Sequence, residues 1–212
     1  MRVIRRLRAL GRRDDGFTLV EMIVNVAIIG VIASALAGVV ISYLKTTAAT
    51  ESRLVESHDV QFAAAYWQRD VASIGVRTYD SGTKTFPLQQ SVNVTPACSM
   101  PAGTTTVVTL AWSEYTDLDS TAAPTTITVS YVAEPDAGGY NLLRVRCTGS
   151  TKDSQFEVTH SLNALPTATC NVACTSAPDV PTVVELHLSV RDPDRNGGTA
   201  LTATLAGERR QT

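Results

Sequence analysis

A single carboxylate, Glu21, interrupts an apolar run that covers residues 17–44. The run is about 28 residues long; at about 1.5 Å per residue a helix of that length measures roughly 42 Å, enough to cross a hydrocarbon core of about 30 Å. A charge left in the bilayer core costs roughly 2.5–3.5 kcal/mol on insertion scales, so Glu21 implies a use. The preceding leader carries Arg2, Arg5, Arg6, Arg8, Arg12 and Arg13. Positive charge on one flank keeps that flank in the cytoplasm, and the large C-terminal part is expected to be exported from the cytoplasmic membrane on a single span. An ordinary secretory signal ends in a small-residue cleavage site with a polar flank. Ala33-Ser34-Ala35 lies inside the run and lacks that flank.

A glycine stands immediately before the run and a phenylalanine opens it, giving Gly16-Phe17-Thr18-Leu19-Val20-Glu21. These residues resemble the signal of class III prepilins, the type IV pilins and type II secretion pseudopilins. That signal is a glycine, an aromatic or apolar residue, then T-L-[VIL]-E. The resemblance implies cleavage between Gly16 and Phe17 by a membrane prepilin peptidase, and N-methylation of Phe17. It implies assembly with other pilin or pseudopilin subunits, driven by a cytoplasmic ATPase. Glycine suits a cleavage position because, without a Cβ, its backbone approaches a peptidase site closely.

After such a cut Glu21 is the fifth residue, one helical turn from the new ammonium of Phe17. Neither charge is stable alone in lipid, whereas pairing offsets their desolvation. In the resembled family this glutamate meets the amine of a neighbouring subunit and sets assembly register; a carboxylate reaching to the interface is the simpler alternative. Asn25 lies one turn further on the same face, within reach of Glu21 or a neighbouring helix. Gly30, Ser34 and Gly38 recur every fourth residue, a spacing that lets helices approach closely.

The whole chain carries a net charge of −2; the leader holds six arginines and two aspartates, so the mature chain stands near −6. This argues against a broad basic face for nucleic acid. The four cysteines, Cys98, Cys147, Cys170 and Cys174, all fall in the exported part, where disulfides persist. Four cysteines allow three pairings. A short Cys170–Cys174 staple with a long Cys98–Cys147 clip is preferred, and the spacing fits tetrahedral zinc poorly.

The helical pattern continues beyond Leu44. Val60, Ala63, Ala64, Trp67, Val71 and Ile74 repeat at three and four residues, a buried face, and Gly75 is placed as its C-terminal cap. One helix is therefore expected from Phe17 to about Ile74, as a membrane and assembly half over 17–44 and an amphipathic half over 45–75. From Thr104 the period changes to two. Strands are expected at 105–112, 125–133, 140–147, 155–161, 182–191 and 199–205. The predicted class is α+β: a leader over 1–16, a long spine helix, and a β-rich exported domain over 76–212. Its antiparallel sheet is laid on the Trp67 face.

Two further stretches bear on the kind of subunit. Trp67-Gln68-Arg69-Asp70-Val71-Ala72-Ser73-Ile74-Gly75 resembles the L-x-x-D-[LV]-R-x-A-G stretch that ends the spine helix of W-type minor pilins and J-type minor pseudopilins. Asp70, Val71 and Gly75 match it; Trp67, Ala72 and Ile74 depart from it. The segment 183–192 followed by Leu201-Thr202-Ala203-Thr204-Leu205 is similar to the closing hairpin of the same families. The resemblance implies a minor subunit at a filament tip.

Asp192, Asp194 and Asn196 match the first half of a calcium loop, but Ala203 stands where the bidentate glutamate belongs. A plain hairpin turn is the simpler reading. His58, His160 and His187 lack metalloprotease spacing, and no nucleophile elbow or phosphate loop is present. No cofactor is expected. The expectation is a non-catalytic filament subunit, anchored first in the cytoplasmic membrane and then carried in a surface pilus or pseudopilus. The rivals are an uncleaved single-pass adhesin or sensor, and an anchored exported enzyme.

Overall fold

The computed structural model describes residues 16–115, 123–177, 179–190 and 200–211. The chain divides into two compact units, Met1–Ala48 and Ala49–Thr212. Helix α1, Leu19–Ser73, begins in the first and ends in the second, close to the span expected from the apolar and amphipathic patterns.

In the first unit the helix has a defined start. Thr18 lies just outside it, and its Oγ1 accepts the Glu21 N–H at 3.3 Å while its carbonyl accepts Met22 N–H at 3.1 Å. Thr18 and Glu21 have capping-box spacing, and a carboxylate in the first turn suits the positive end of the helix. Every described residue of this unit is exposed. Three hydroxyls along it turn back onto their own helix: Ser34 Oγ donates to the Val31 carbonyl at 2.9 Å, and Thr46 and Thr47 donate to the Ser42 and Tyr43 carbonyls at 3.0 Å. That leaves an outer surface of apolar side chains on a helix long and apolar enough to cross a membrane.

In the second unit the helix turns one face inward. Ala63, Trp67, Val71 and Ile74 are fully buried, and Val60 and Ala64 pack beside them. They lie on a seven-stranded antiparallel sheet whose strands pair β3–β4–β5–β6–β8, with β7 on the same edge of β8 as β6 and β9 on the other. The strands are β3 Thr105–Glu114, β4 Thr125–Asp136, β5 Gly139–Thr148, β6 Thr151–Leu162, β7 Thr167–Cys170, β8 Val183–Val190 and β9 Leu201–Glu208. Period-two alternation locates six of these. β7 and the small pair β1 Val76–Arg77 with β2 Leu88–Gln89 escape it, since two to four residues carry too little alternation.

One sheet face meets the helix through Ile127, Val129, Tyr131 and Leu142. Trp67 is the largest of these buried side chains: its ring stands edge-on to Tyr131 at 5.1 Å, and its Nε1 donates to the Val184 carbonyl at 3.3 Å. The opposite face carries Val132, Leu143, Val145 and Cys147, which pack with Cys98 and Met100. The Cys98–Cys147 disulfide pins the segment that bears Met100 over this second, smaller core. Cys170–Cys174 closes the turn after β7.

The chain ends by sealing the helix. Arg210 N–H donates to the Ala72 carbonyl at 3.2 Å and Gln211 Nε2 to Ser73 at 3.4 Å, satisfying carbonyls that the last turn leaves open. Gly75 lies two residues past the helix end rather than capping it alone. It forms a parallel bridge with Trp112 at a φ of +152°, where a side chain is strained. Gly207 on β9 crosses directly over the helix, and a Cβ there would lie 2.5 Å from the Val71 Cβ. Gly207→Ala is expected to destabilise the fold by about 1–3 kcal/mol through overpacking. Adding Val71→Ala should return part of that loss in urea unfolding of the double variant.

Candidate functional site

Two constellations carry the functional argument, one in each unit. In the first, Gly16, Phe17 and Thr18 precede the helix and are exposed, and an ideal Cβ at Gly16 meets nothing within 4 Å. The bond between Gly16 and Phe17 thus lies in accessible backbone immediately before a capped helix. Glu21 sits in the first turn and Asn25 one turn later, both exposed. Gly30 and Gly38 likewise meet nothing, so the small-residue ridge is open along its length.

The second constellation is a buried ion pair that joins helix to sheet. Asp70 is 1% exposed and Arg144, on β5, is 6% exposed. Arg144 Nε donates to Asp70 Oδ2 and Nη2 to Oδ1, both at 2.7 Å, a two-bond fork. The Tyr131 hydroxyl, on the neighbouring strand β4, donates to the same Oδ2 at 2.7 Å. The guanidinium also lies 5.3 Å from the Tyr66 ring and 5.7 Å from Phe156. Burial pushes the Tyr131 phenol well above its ordinary value, and the adjacent Asp70 charge adds to the effect. For Arg144 burial is the largest influence and opposes the charge, but the bonds and charge of Asp70, with Tyr131, outweigh it and raise the value.

Asp70 stands out in the sequence through the Asp70-Val71-Gly75 pattern; its partners do not. The signal was an arginine at an inward position of a strand, since Arg144 shares the parity of Leu142 in β5. A second buried carboxylate, Asp59, was not anticipated either. It accepts the backbone N–H of His160 at 3.2 Å, and His160 Nδ1 lies 3.0 Å away. His58 Nδ1 is 3.9 Å from its other oxygen, so the fold gathers two of the three histidines around one acid. His187 lies apart on β8, bridging Thr169 and Thr204. Glu157 stands 3.8 Å from His160, and its own value is raised chiefly by burial. Among the described residues no group of three or more His, Cys, Asp or Glu is arranged to hold a metal. The calcium candidates Asp192, Asp194 and Asn196 lie outside the described residues. Cys98 pairs with Cys147 and Cys170 with Cys174, and no described cysteine is free.

The family model described as the prokaryotic N-terminal methylation motif matches residues 11–37, spanning Gly16, Phe17, Glu21, Asn25 and Gly30. This match supports a pilin-like or pseudopilin subunit and with it membrane anchoring through the apolar helix. No curated protein and no solved structure matches the chain.

Removing Asp70 would leave a buried, unpaired guanidinium. Asp70→Ala is expected to cost about 3–5 kcal/mol in denaturant unfolding, more than the paired replacement of Asp70 and Arg144 by apolar residues. Because the folded-state value of Tyr131 lies above its unfolded value near 10, the fold keeps a proton that the unfolded chain has lost. That contribution is complete below about pH 10 and is lost as pH rises through the folded value. Tyr131→Phe should therefore lower stability at neutral pH by about 1–2 kcal/mol and flatten the alkaline decline in urea midpoints.

Proposed function

We propose that this chain is a non-catalytic subunit of a type IV pilus-like filament or secretion pseudopilus. In this reading it is inserted through residues 17–44, cleaved after Gly16 and methylated at Phe17. The observation that carries the reading is the methylation-motif match at residues 11–37, running into an apolar helix whose described side chains are exposed throughout the first unit. Such a surface requires lipid or other helices as its solvent.

The assembly chemistry follows from the capped helix start. Cleavage adds an ammonium to a terminus that already carries the positive end of the helix dipole. Glu21 answers that charge, and the carboxylate of one subunit facing the Phe17 amine of the next neutralises both in a dry environment. Apolar packing distinguishes poorly between neighbouring helices and lipid tails, so a charge pair and a close-packing ridge at Gly30, Ser34 and Gly38 set the register.

The finer assignment is a minor subunit near the filament tip. It rests on the resemblance of the 67–75 stretch to W-type and J-type subunits. The physical role of Asp70 as the anchor between spine and sheet gives that stretch a reason. Its partners in this reading are the prepilin peptidase, other pilin or pseudopilin subunits and the cytoplasmic membrane, with no nucleic acid and no cofactor.

The test is intact-mass analysis of the protein recovered from membranes and sheared filaments of its host, for the wild type and Glu21→Leu. The expected outcome is a wild-type chain beginning at methylated Phe17 in both fractions, and a Glu21→Leu chain that is cleaved but missing from filaments. A chain that still begins at Met1 would overturn the proposal in favour of an uncleaved anchor, and normal incorporation of Glu21→Leu would overturn the role of the carboxylate.

A further inference from the structure

The two outer edges of the sheet are treated differently. β3 is bridged by the chain itself: Gly75 pairs with Trp112 and Val92 with Leu110. β9 pairs with β8 on one side, and among the described residues no strand meets its other side. Its register with β8 is regular from Leu201 to Glu208, without a bulge. The strand Leu201-Thr202-Ala203-Thr204-Leu205-Ala206-Gly207-Glu208 contains no lysine or proline. Bulges, lysines and prolines are the usual devices that blunt an open edge.

Arg209 N–H donates to the Thr182 carbonyl at 2.8 Å. Antiparallel pairing alternates, so Gly207, Leu205 and Ala203 also point their backbone groups at β8. The N–H and C=O groups of Thr202, Thr204, Ala206 and Glu208 then point outward, a row of donors and acceptors at strand spacing.

A cleft of about 600 Å³ runs beside the C-terminal half of this edge, walled by Gln68 and Ala72 of α1 and by 206–210. An adjoining hollow adds Arg69 and shares Arg210. Three arginines thus border the groove, against Glu208. Arg209 is the informative one: its Nε and Nη1 are buried and make no hydrogen bond. Burial, and the charge of nearby Arg77, hold its value below the ordinary one. Two of the three nitrogens of this guanidinium are thus left without an acceptor.

We propose that the β9 edge and this cationic groove together bind an extended, acidic segment of a partner protein by strand addition. The backbone row selects a polypeptide, and the exposed Arg69 and Arg210 select carboxylates at the end lying beside Arg210. The mature chain is itself near −6, so this groove is a local reversal of sign. A second copy of β9, paired antiparallel about Leu205, would bring Ala200 rather than a carboxylate to Arg210. The proposal goes beyond the filament reading and holds for a cleaved subunit or an uncleaved anchor alike.

The test uses the full chain in lipid nanodiscs and a fluorescent probe peptide of alternating threonine and valine ending in glutamates. Three comparison probes are the same peptide ending in lysines, the acidic peptide N-methylated at alternate amides, and a single-stranded oligothymidine. The acidic peptide is expected to bind, with N-methylation and Arg210→Glu each weakening it by about tenfold, and the lysine peptide favoured by Arg210→Glu. Its binding should also slow amide exchange at Thr202, Thr204 and Ala206. The N-methylated probe leaves the protein untouched, so a folding defect cannot mimic the result. Binding indifferent to N-methylation, binding of the oligonucleotide in place of the peptide, or self-association that occupies β9 in sedimentation would each overturn the proposal.

Discussion

Asp70 and Arg144 are charges in a place where water cannot reach them, and their fork is what makes the helix and the sheet one body. Each alone would be costly at that depth; together they leave no strong donor or acceptor of the carboxylate facing nothing, because Tyr131 supplies a third bond to Oδ2. The apolar contact around them supplies most of the driving force, through Trp67, Val71 and Ile74 on one side and Ile127, Val129 and Leu142 on the other. But apolar contact is non-directional. Three short bonds to one side chain fix which turn of α1 lies over β4 and β5. Tyr66 and Phe156 then close over the guanidinium and complete its exclusion from solvent.

The first unit obeys the opposite rule. Its described residues form no interior, so their stability depends on backbone bonds within the helix and on a surface that suits hydrocarbon. The hydroxyls of Ser34, Thr46 and Thr47 are returned to their own helix, Thr18 closes the start, and Glu21 is the carboxylate of the first turn. A carboxylate in such a segment is a directional group among apolar side chains. This is why the subunit reading centres on Glu21 and on an amine that proteolysis would create.

The second unit also shows how a modest sheet supports two layers. One face is covered by α1, the other by a strap that Cys98–Cys147 pins over Val132, Leu143 and Val145. The C-terminal residues return to close the helix end. That return carries Arg209 and Arg210 to the rim of the β9 edge, whose outer side no described strand covers and where a partner has both shape and charge to read.

Much of this was legible from residue order. The helix declared itself through a run without proline and then a three-and-four repeat, and the N-terminal methylation motif through six adjacent residues. Six strands followed from alternation, and β7 and the β1–β2 pair were too short to register. Arg144 and Tyr131 were hidden because a polar residue at an inward position has no local explanation. Its partner lies 74 residues away from Arg144 and 61 from Tyr131. Asp59 and His160, separated by 101 residues, were invisible for the same reason. The sequence by itself determined what is local: hydrophobic period, helix start, and the residues of the N-terminal methylation motif. Only the tertiary structure decided which charges meet, which sheet edge no described strand covers and which guanidinium nitrogens lack an acceptor, because those outcomes depend on contacts between segments far apart in the chain.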